Sequence, residues 1–357
     1  MKYNEFKIGS KQVGENHPTY FIADISANHD GDLERAKTLI HLAAESGADA
    51  AKFQNFKASG IVSDKGFKSL GSQSSHQAKW KKSVFEVYKD ASIPWEWTPI
   101  LKAECDKAGI EYFSTPYDMG AVDMLDPYVK AYKIGSGDIT WPEICLHMAS
   151  KGKPILLATG AADMDDVKRI MSAVEAVTGS IGLMQCNTNY TGSIENFKFI
   201  HLRVLETYKK NFPNAVLGLS DHTSGHATVL GAVTLGARLI EKHFTDDVNR
   251  EGPDHGFSMT PLTWSDMVQR TRELEFSLGS FEKKIEANEA DTVVLQRRSI
   301  RAAANLQAGT IIRREDLEVL RPAPKGSLSP FEIQRLIGRK LARSLSQHDV
   351  ISLDYLE

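Results

Sequence analysis

Cysteine is scarce in the sequence and never occurs at a metal-binding spacing. The chain of 357 residues has three cysteines, Cys105, Cys145 and Cys186, and no CxxC pair. An odd number of widely separated cysteines is typical of reduced thiols and not of a disulfide framework. We therefore expect free thiols in a cytoplasmic protein.

Two further absences limit the classes of function. No apolar run is long enough to cross a bilayer, and the amino-terminal segment lacks the continuous apolar core of a signal peptide. Basic residues are not in excess, since 43 lysines and arginines against 46 aspartates and glutamates give a net charge of −3. Because a polyanion is normally bound by a basic face, we expect neither a nucleic-acid nor a membrane partner.

The sequence does contain a regular alternation of strand and helix patterns. Helical patterns, for example at 33–44 and 97–108, separate eight β-rich runs at 20–25, 50–53, 111–114, 131–134, 155–158, 181–185, 215–219 and 239–242. Eight strands with intervening helices predict an α/β fold, the (β/α)8 TIM barrel. A doubly wound open sheet is the alternative, but no GxGxxG follows the first run.

The sequence also predicts a second, smaller domain. Residues 281–291 are charged and poor in apolar side chains, which indicates a linker. Residues 292–357 mix short strand patterns with glycine and proline turns. We therefore predict a TIM-barrel domain over residues 1–280 and a compact carboxyl-terminal domain over 292–357.

Most of the predicted strands end in a group of polar residues. Barrel active sites are built from residues at the carboxyl ends of the strands. His222 and His243 close the seventh and eighth runs, and neighbouring strands would bring the two imidazoles together to bind one metal ion. The alternative is that they are two unrelated polar residues at the rim, and Asp221 could orient a ligand or bind the metal.

Lys52 and Lys133 lie inside the second and fourth predicted strands. A lysine inside an apolar strand loses hydration, so two that point inward indicate a bound anion, for which phosphate is the natural choice. Alternatively, each side chain reaches the rim and its ammonium group stays in water. Further polar residues stand at strand ends. Three hydroxyls could bind phosphate or cap helices (Thr115, Ser136, Ser220), and three other groups could serve proton transfer, cap helices or pair with one of the lysines (Asp24, Gln54, Asp138).

Taken together, these residues resemble the sialic acid synthase family, which includes the N-acetylneuraminate, legionaminate and pseudaminate synthases. The ordered motifs that carry the resemblance cover nearly the whole chain: residues 22–32, 47–54, 114–117, 132–138, 218–223, 241–245, 252–254 and 258–259. Residues 292–357 resemble the antifreeze-like (SAF-type) domain of these enzymes, with Arg321-Pro322 at the matching place.

The resemblance implies a synthase that condenses phosphoenolpyruvate with an open-chain N-acyl amino sugar. It implies a divalent metal, Mn²⁺ before Mg²⁺ or Co²⁺, on His222 and His243, and a domain-swapped homodimer in which Arg321 reaches the other chain's barrel. The remaining roles it implies are phosphoenolpyruvate binding by Lys52, Thr115, Lys133, Ser136 and Ser220, catalysis by Asp24 and Asp138, and sugar binding by Gln54, Tyr190, Asp254 and Arg321.

The sequence departs from the family pattern at three places. Asp24 and Asp138 stand where many relatives carry the longer Glu, residues 186–191 lack a proline after the tyrosine, and the loop 59–82 does not align. We expect the last two to shape the sugar pocket. The competing interpretations are a synthase acting on a phosphorylated sugar, as in 3-deoxy-octulosonate phosphate synthesis, a metal-dependent hydrolase, and a non-catalytic carbohydrate-binding barrel.

Overall fold

The computed structural model describes residues 4–71, 77–78 and 80–357. The chain divides into two compact units, Met1–Gly279 and Ser280–Glu357. All three cysteines are buried and unpaired. Within the described ranges, no helix combines the length and apolar character needed to span a membrane.

The first unit is an eight-stranded parallel barrel. An antiparallel hairpin of β1 (Glu5–Ile8) and β2 (Lys11–Gly14) precedes it. The barrel strands are β3 (Tyr20–Asp24), β4 (Ala50–Asn55), β5 (Glu111–Pro116), β6 (Tyr132–Ile134), β7 (Ile155–Ala158), β8 (Ile181–Cys186), β9 (Val216–Asp221) and β10 (Leu239–His243). Their order is β5-β4-β3-β10-β9-β8-β7-β6, and because β5 contacts β6 the sheet is nearly closed. The predicted TIM barrel is confirmed.

Helices surround the barrel strands. They are α1 (Leu33–Glu45), α2 (Ala58–Ile61), α3 (Asp64–Ser69), α4 (Val84–Ala91), α5 (Trp97–Ala108), α6 (Met119–Leu125), α7 (Pro142–Ala149), α8 (Met164–Glu175), α9 (Val204–Asn211), α10 (Ala227–Thr234) and α11 (Pro261–Leu278). Helix α1 shows how the sequence determines where a helix begins. The Asp32 carboxylate accepts hydrogen bonds from the backbone N–H groups of Glu34 and Arg35 and so caps the start of α1. Its buried residues Ala36, Leu39, Ile40 and Ala43 recur at helical spacing.

Alternate residues of each strand face the barrel interior, and these inward residues form two layers. The lower layer is an apolar cluster of the strands with the hairpin: Phe6, Ile8, Val13, Tyr20, Ile22, Ala50, Phe113, Ala131, Leu156, Met184, Val216 and Leu239. Two positions further along β3, β4, β6 and β10 the inward residues are Asp24, Lys52, Lys133 and Glu241. The charged upper layer thus rests on a closed apolar floor.

The second unit has its own small core. It contains α12 (Ala290–Gln296) and an antiparallel pair, β11 (Ser299–Ala302) with β12 (Leu317–Leu320), and the rest is turns and short 3-10 helices. Ten buried apolar residues form its core: Ile300, Ala302, Leu306, Ile312, Leu317, Leu328, Leu336, Leu341, Leu345 and Ile351. Part of the predicted linker is helical, since a 3-10 turn over Ala287–Glu289 leads into α12.

Candidate active site

A cavity of about 690 Å³ opens at the carboxyl ends of the barrel strands. Its volume lies within the usual range for sites that bind small molecules. Twelve of the predicted site residues line this cavity: Asp24, Lys52, Gln54, Thr115, Lys133, Ser136, Asp138, Tyr190, Ser220, His222, His243 and Asp254. The thirteenth, Arg321, belongs to the second unit, where its Nε donates to the backbone oxygen of Gln296 at 2.7 Å. Its role at a barrel stays a prediction.

The two predicted lysines are buried beside carboxylates. Lys52 Nζ lies 2.6 Å from Asp24 Oδ2, and Lys133 Nζ lies 3.1 Å from Glu241 Oε1. Both side chains are only 3% exposed, so neither ammonium group reaches water at the rim. The expectation that two inward lysines require a bound anion is too strong, because the protein itself balances both charges.

Glu241 is the site residue that the sequence reasoning missed. One of its oxygens, Oε1, also lies 3.8 Å from Lys52 Nζ and accepts a hydrogen bond from Ser220 Oγ at 3.2 Å. Burial alone would raise the pKa of Glu241, but the ammonium groups of Lys133 and Lys52 outweigh it and lower the pKa to about 2. Strand alternation was the available signal: Glu241 stands two positions before His243, so both face the interior.

The two predicted histidines lie close together at the mouth of the barrel. The ring centroids of His222 and His243 are 5.4 Å apart. His222 Nδ1 is 2.8 Å from the backbone oxygen of Asn187, to which it donates, so Nε2 keeps its lone pair. Burial, followed by the neighbouring His243, lowers the pKa of His222 to about 3. A neutral imidazole that donates a hydrogen bond from one nitrogen and keeps the lone pair of the other is the form that binds metals.

These groups therefore fit a metal ion. In the part of the chain that the structure describes, no cluster of three His, Cys, Asp or Glu side chains with metal-binding geometry occurs, so the histidines would be the two protein ligands. A metal with few protein ligands keeps positions open for substrate, as catalytic sites require. The rings of Tyr190, 4.3 Å from His222, and Phe257, 4.9 Å from His243, enclose the pair.

Asp138 is a carboxyl group that faces the cavity and whose pKa is raised by burial. Burial raises the pKa of Asp138 to about 6, and its Oδ2 has no hydrogen-bond partner among the described residues. Asp24 Oδ2 is 3.6 Å from His243 Nε2, and Asp254 Oδ2 accepts from the backbone N–H of Ala27 at 3.2 Å. A carboxylate that titrates near pH 6 is suited to accept a proton at neutral pH.

The three strand-end hydroxyls do not cap helices. Ser136 Oγ accepts a hydrogen bond from the backbone N–H of Gly160 at 3.0 Å, and Thr115 Oγ1 is 3.5 Å from Lys52 Nζ. The residue that caps the helix after β5 is Asp118. The capping alternative for Thr115, Ser136 and Ser220 is therefore wrong.

Asp221 lies outside the cavity, contrary to the suggestion that it binds or orients the metal. Its side chain points away from the barrel interior and forms an ion pair with Lys242. Alternation along β9 explains this placement, since Ser220 faces inward and its neighbour must face the helices.

The loop 59–82 contributes one wall of the cavity, as far as the structure describes it. Residues 72–76 and 79 lie outside the described ranges. The described part lines the cavity with Ile61, Phe67, Leu70, Gln77 and Trp80.

A parallel barrel with titratable groups gathered at the carboxyl ends of its strands defines the class of (β/α)8 barrel enzymes. The chain belongs to the NeuB family, the family of the sialic acid synthases, because the NeuB family model matches residues 39–283. The SAF domain model matches residues 297–357.

Similar proteins extend over nearly the whole chain. The chain is 36% identical to the N,N'-diacetyllegionaminic acid synthase of Legionella pneumophila, with 98% of each chain covered. It is 32% identical to the human N-acetylneuraminate-9-phosphate synthase, covering 95% of this chain and 93% of that protein. The crystal structure of the sialic acid synthetase of Leptospira borgpetersenii, in complex with citrate, aligns with a TM-score of 0.71 at 27% identity, covering 82% of this chain and 96% of that one.

Proposed function

We propose that this enzyme is a nonulosonic acid synthase that joins phosphoenolpyruvate to an open-chain N-acyl amino sugar. The sugar is N-acetylmannosamine or a 2,4-diacetamido-trideoxyhexose, and the product is a nine-carbon 2-keto-3-deoxy acid. The observation that supports this proposal best is that one cavity is lined by both a buried lysine pair and a close pair of histidines. The lysine pair is suited to bind a phosphorylated acid, and the histidine pair is suited to bind a metal.

The reaction forms one carbon–carbon bond and breaks one carbon–oxygen bond. C3 of phosphoenolpyruvate attacks the sugar aldehyde carbon, water adds to C2, and the C2–O bond to phosphate breaks, which leaves the keto acid and inorganic phosphate. Lys52 and Lys133 would hold the phosphate and carboxylate, assisted by the hydroxyls of Thr115, Ser136 and Ser220. Asp138 would accept the proton of the attacking water, because its pKa of about 6 leaves it ionised at neutral pH.

His222 and His243 would hold a divalent cation, Mn²⁺ before Mg²⁺ or Co²⁺. Such a cation supplies Lewis acidity to the aldehyde oxygen. Asp24, whose carboxylate is close to His243, would act on the reacting atoms together with Asp138. Asp254, which is also close to His243, would orient the sugar hydroxyls with Gln54 and Tyr190. The aromatic rings around the histidines would restrict water at the reacting carbon.

The decisive assay follows phosphate release from phosphoenolpyruvate that carries ¹⁸O in its bridging oxygen. Purified protein with Mn²⁺ should release phosphate only when an aldehyde sugar is present, and the phosphate should retain the label because the C–O bond breaks. Release without a sugar would indicate the hydrolase alternative. Unlabelled phosphate would mean P–O cleavage, and no release with any sugar would favour a binding protein.

We also propose that the enzyme is a domain-swapped homodimer in which Arg321 of the partner subunit completes the sugar site. Co-expression of a His222→Ala chain with an Arg321→Ala chain tests this arrangement. In a swapped heterodimer one of the two sites has an intact barrel and an intact Arg321, so mixing should restore roughly a quarter of the wild-type activity. If Arg321 served its own barrel, the mixture would stay as inactive as either variant alone.

A further inference from the structure

The two histidines of the cavity differ in how their rings are held. His222 Nδ1 donates to the backbone oxygen of Asn187 at 2.8 Å. His243 Nδ1 is buried and has no hydrogen-bond partner among the described residues, and Asp254 Oδ2 lies 3.9 Å from it. A histidine that binds a metal normally donates its other nitrogen to a carboxylate or a carbonyl oxygen, which fixes the orientation of the ring. His243 therefore needs an acceptor, and the Asp254 carboxylate lies on the correct side of the ring to provide one.

Asp254 belongs to the loop that follows β10, residues 244–258, which we call the β10 loop. Its Oδ2 accepts a hydrogen bond from the backbone N–H of Ala27 at 3.2 Å. A 3-10 turn over His255–Phe257 begins directly after Asp254. The position of this turn therefore determines how close the Asp254 carboxylate comes to His243.

The imidazole of His255 fixes this turn, and it is fully buried. Its Nε2 lies 2.9 Å from Asp30 Oδ1, and its Nδ1 lies 2.7 Å from Thr245 Oγ1. Because a carboxylate oxygen only accepts, Nε2 donates to Asp30. The β10 loop also packs closely on the ring, since a Cβ atom added at Gly252 would lie 2.6 Å from His255 Cδ2. His255 thus joins the β10 loop to the segment after β3 that contains Asp30.

A second link holds the same two segments together. Arg35 of α1 donates two hydrogen bonds to the Asp246 carboxylate at 2.7 and 2.9 Å, and its Nε lies 2.9 Å from Asp30 Oδ2. This link acts at the start of the β10 loop, whereas His255 acts beside Asp254. A change at His255 should therefore displace Asp254 while Arg35 still holds the loop to the barrel.

We propose that His255 is a positioning residue that places the Asp254 carboxylate to accept a hydrogen bond from His243 Nδ1, so that Nε2 of His243 faces the metal. This inference rests on the proposed metal site and adds a role to Asp254, whose Oδ1 is left for the sugar hydroxyls. His255 is not among the described residues that line the cavity, so it acts through its neighbour.

The test measures Mn²⁺ affinity without substrate, from the electron paramagnetic resonance signal of free Mn²⁺. Loss of a group that orients a metal-binding histidine weakens metal binding on the order of 10- to 100-fold, and Asp254→Ala and His255→Asn should each do so. His255→Gln should retain more affinity than His255→Asn, because its longer amide can still donate to Asp30. The matched control is His41→Asn: His41 pairs with Glu104 at 2.7 Å outside the cavity, so this variant should bind Mn²⁺ like the wild type.

A double variant distinguishes action through Asp254 from any other route. If His255 acts through Asp254, adding His255→Asn to Asp254→Ala should lower Mn²⁺ affinity no further. Additive losses, or wild-type affinity in the His255→Asn variant, would overturn the inference while the proposed function stands. A wild-type protein that binds no Mn²⁺ would instead count against the proposed metal site itself.

A variant of Asp30 keeps the inference testable if His255→Asn does not fold. The Asp30 side chain is 32% exposed and its φ is +54°, a conformation that glycine adopts readily, so Asp30→Gly should fold. This variant removes the acceptor of His255 and should also weaken Mn²⁺ binding. Wild-type Mn²⁺ affinity in Asp30→Gly would overturn the inference.

Discussion

The buried ion pair between Asp221 and Lys242 allows a sharp test of how paired charges stabilise the barrel next to the two histidines. The two residues are direct partners in the β9–β10 register, each precedes one histidine, and both side chains are at most 1% exposed. Besides the ammonium group, the carboxylate accepts hydrogen bonds from Thr223 N–H, Thr223 Oγ1 and Thr228 Oγ1 at 2.7–3.1 Å. Lys242 Nζ also donates to the backbone oxygen of Thr223 at 2.6 Å.

The structure ranks the two single substitutions. Asp221→Asn leaves the buried ammonium group without a counter-charge, so it should cost about 3–5 kcal/mol of barrel stability. Lys242→Met should cost less, about 3 kcal/mol, because the carboxylate keeps three hydrogen-bond donors. The double variant should cost clearly less than the sum, since removing both charges leaves neither uncompensated.

Tryptophan fluorescence during denaturant unfolding measures this effect in the barrel alone. All five tryptophans, Trp80, Trp95, Trp97, Trp141 and Trp264, belong to the Met1–Gly279 unit. Burial alone would raise the pKa of Asp221, but Lys242 and the hydrogen bonds lower it. The stabilisation should therefore be complete above the unfolded pKa of about 3.9 and be lost as the pH falls through the lower folded value. Single-variant losses below about 1 kcal/mol, or additive losses, would refute the reasoning.

Three further predictions concern the cavity itself. His222→Ala should abolish most phosphate release while the tryptophan unfolding curve stays close to wild type; near-normal turnover would contradict the metal assignment. Asp138→Asn should remove the limb near pH 6 from the pH profile of kcat/KM, and an unchanged profile would exclude Asp138 as the base. The same variant should stabilise the barrel at pH 7 by about 2–3 kcal/mol, because the raised pKa of Asp138 costs stability as the pH rises from the unfolded value to about 6. Calorimetry should show that Mn²⁺ strengthens phosphoenolpyruvate binding. In the absence of metal, Glu241→Gln should also strengthen phosphoenolpyruvate binding, because it removes a negative charge from the cavity. Weaker binding by the Glu241→Gln variant would contradict this reasoning.

The strands were predictable from the sequence because their residues are buried on both faces. All eight predicted runs begin within one residue of the observed strand and end within two residues of it, since short continuous runs of β-branched and aliphatic residues are typical of strands buried on both faces. The hairpin of β1 and β2 was missed. Its buried residues, Phe6, Ile8 and Val13, are separated by charged or polar ones in strands of four residues, which is too short for a clear alternating pattern.

Site residues that stand at strand ends could be predicted from the sequence. Side-chain pairs that depend on which strands are neighbours could not. Alternation could have identified Glu241, but whether its partner is a ligand or a lysine depends on the neighbouring strands. Asp221 could not be separated from the site without its partner Lys242, since that pairing depends on the β9–β10 register. The apolar side chains that residues 61–88 present to the cavity have no sequence signature, because they come from short helices and irregular segments without one hydrophobic period.

The charges in the cavity explain why a metal and an anionic substrate should depend on each other. Two ammonium groups, on Lys52 and Lys133, face four carboxyl groups, on Asp24, Asp138, Glu241 and Asp254, while His222 stays neutral. At neutral pH the side chains of the cavity are therefore negative on balance, and without a cation they would repel phosphoenolpyruvate despite the two lysines. A divalent cation held by the two histidines would offset two of these charges. Because the attraction between charges is strong at short range in a buried site, the ammonium groups would then be free to bind the phosphate.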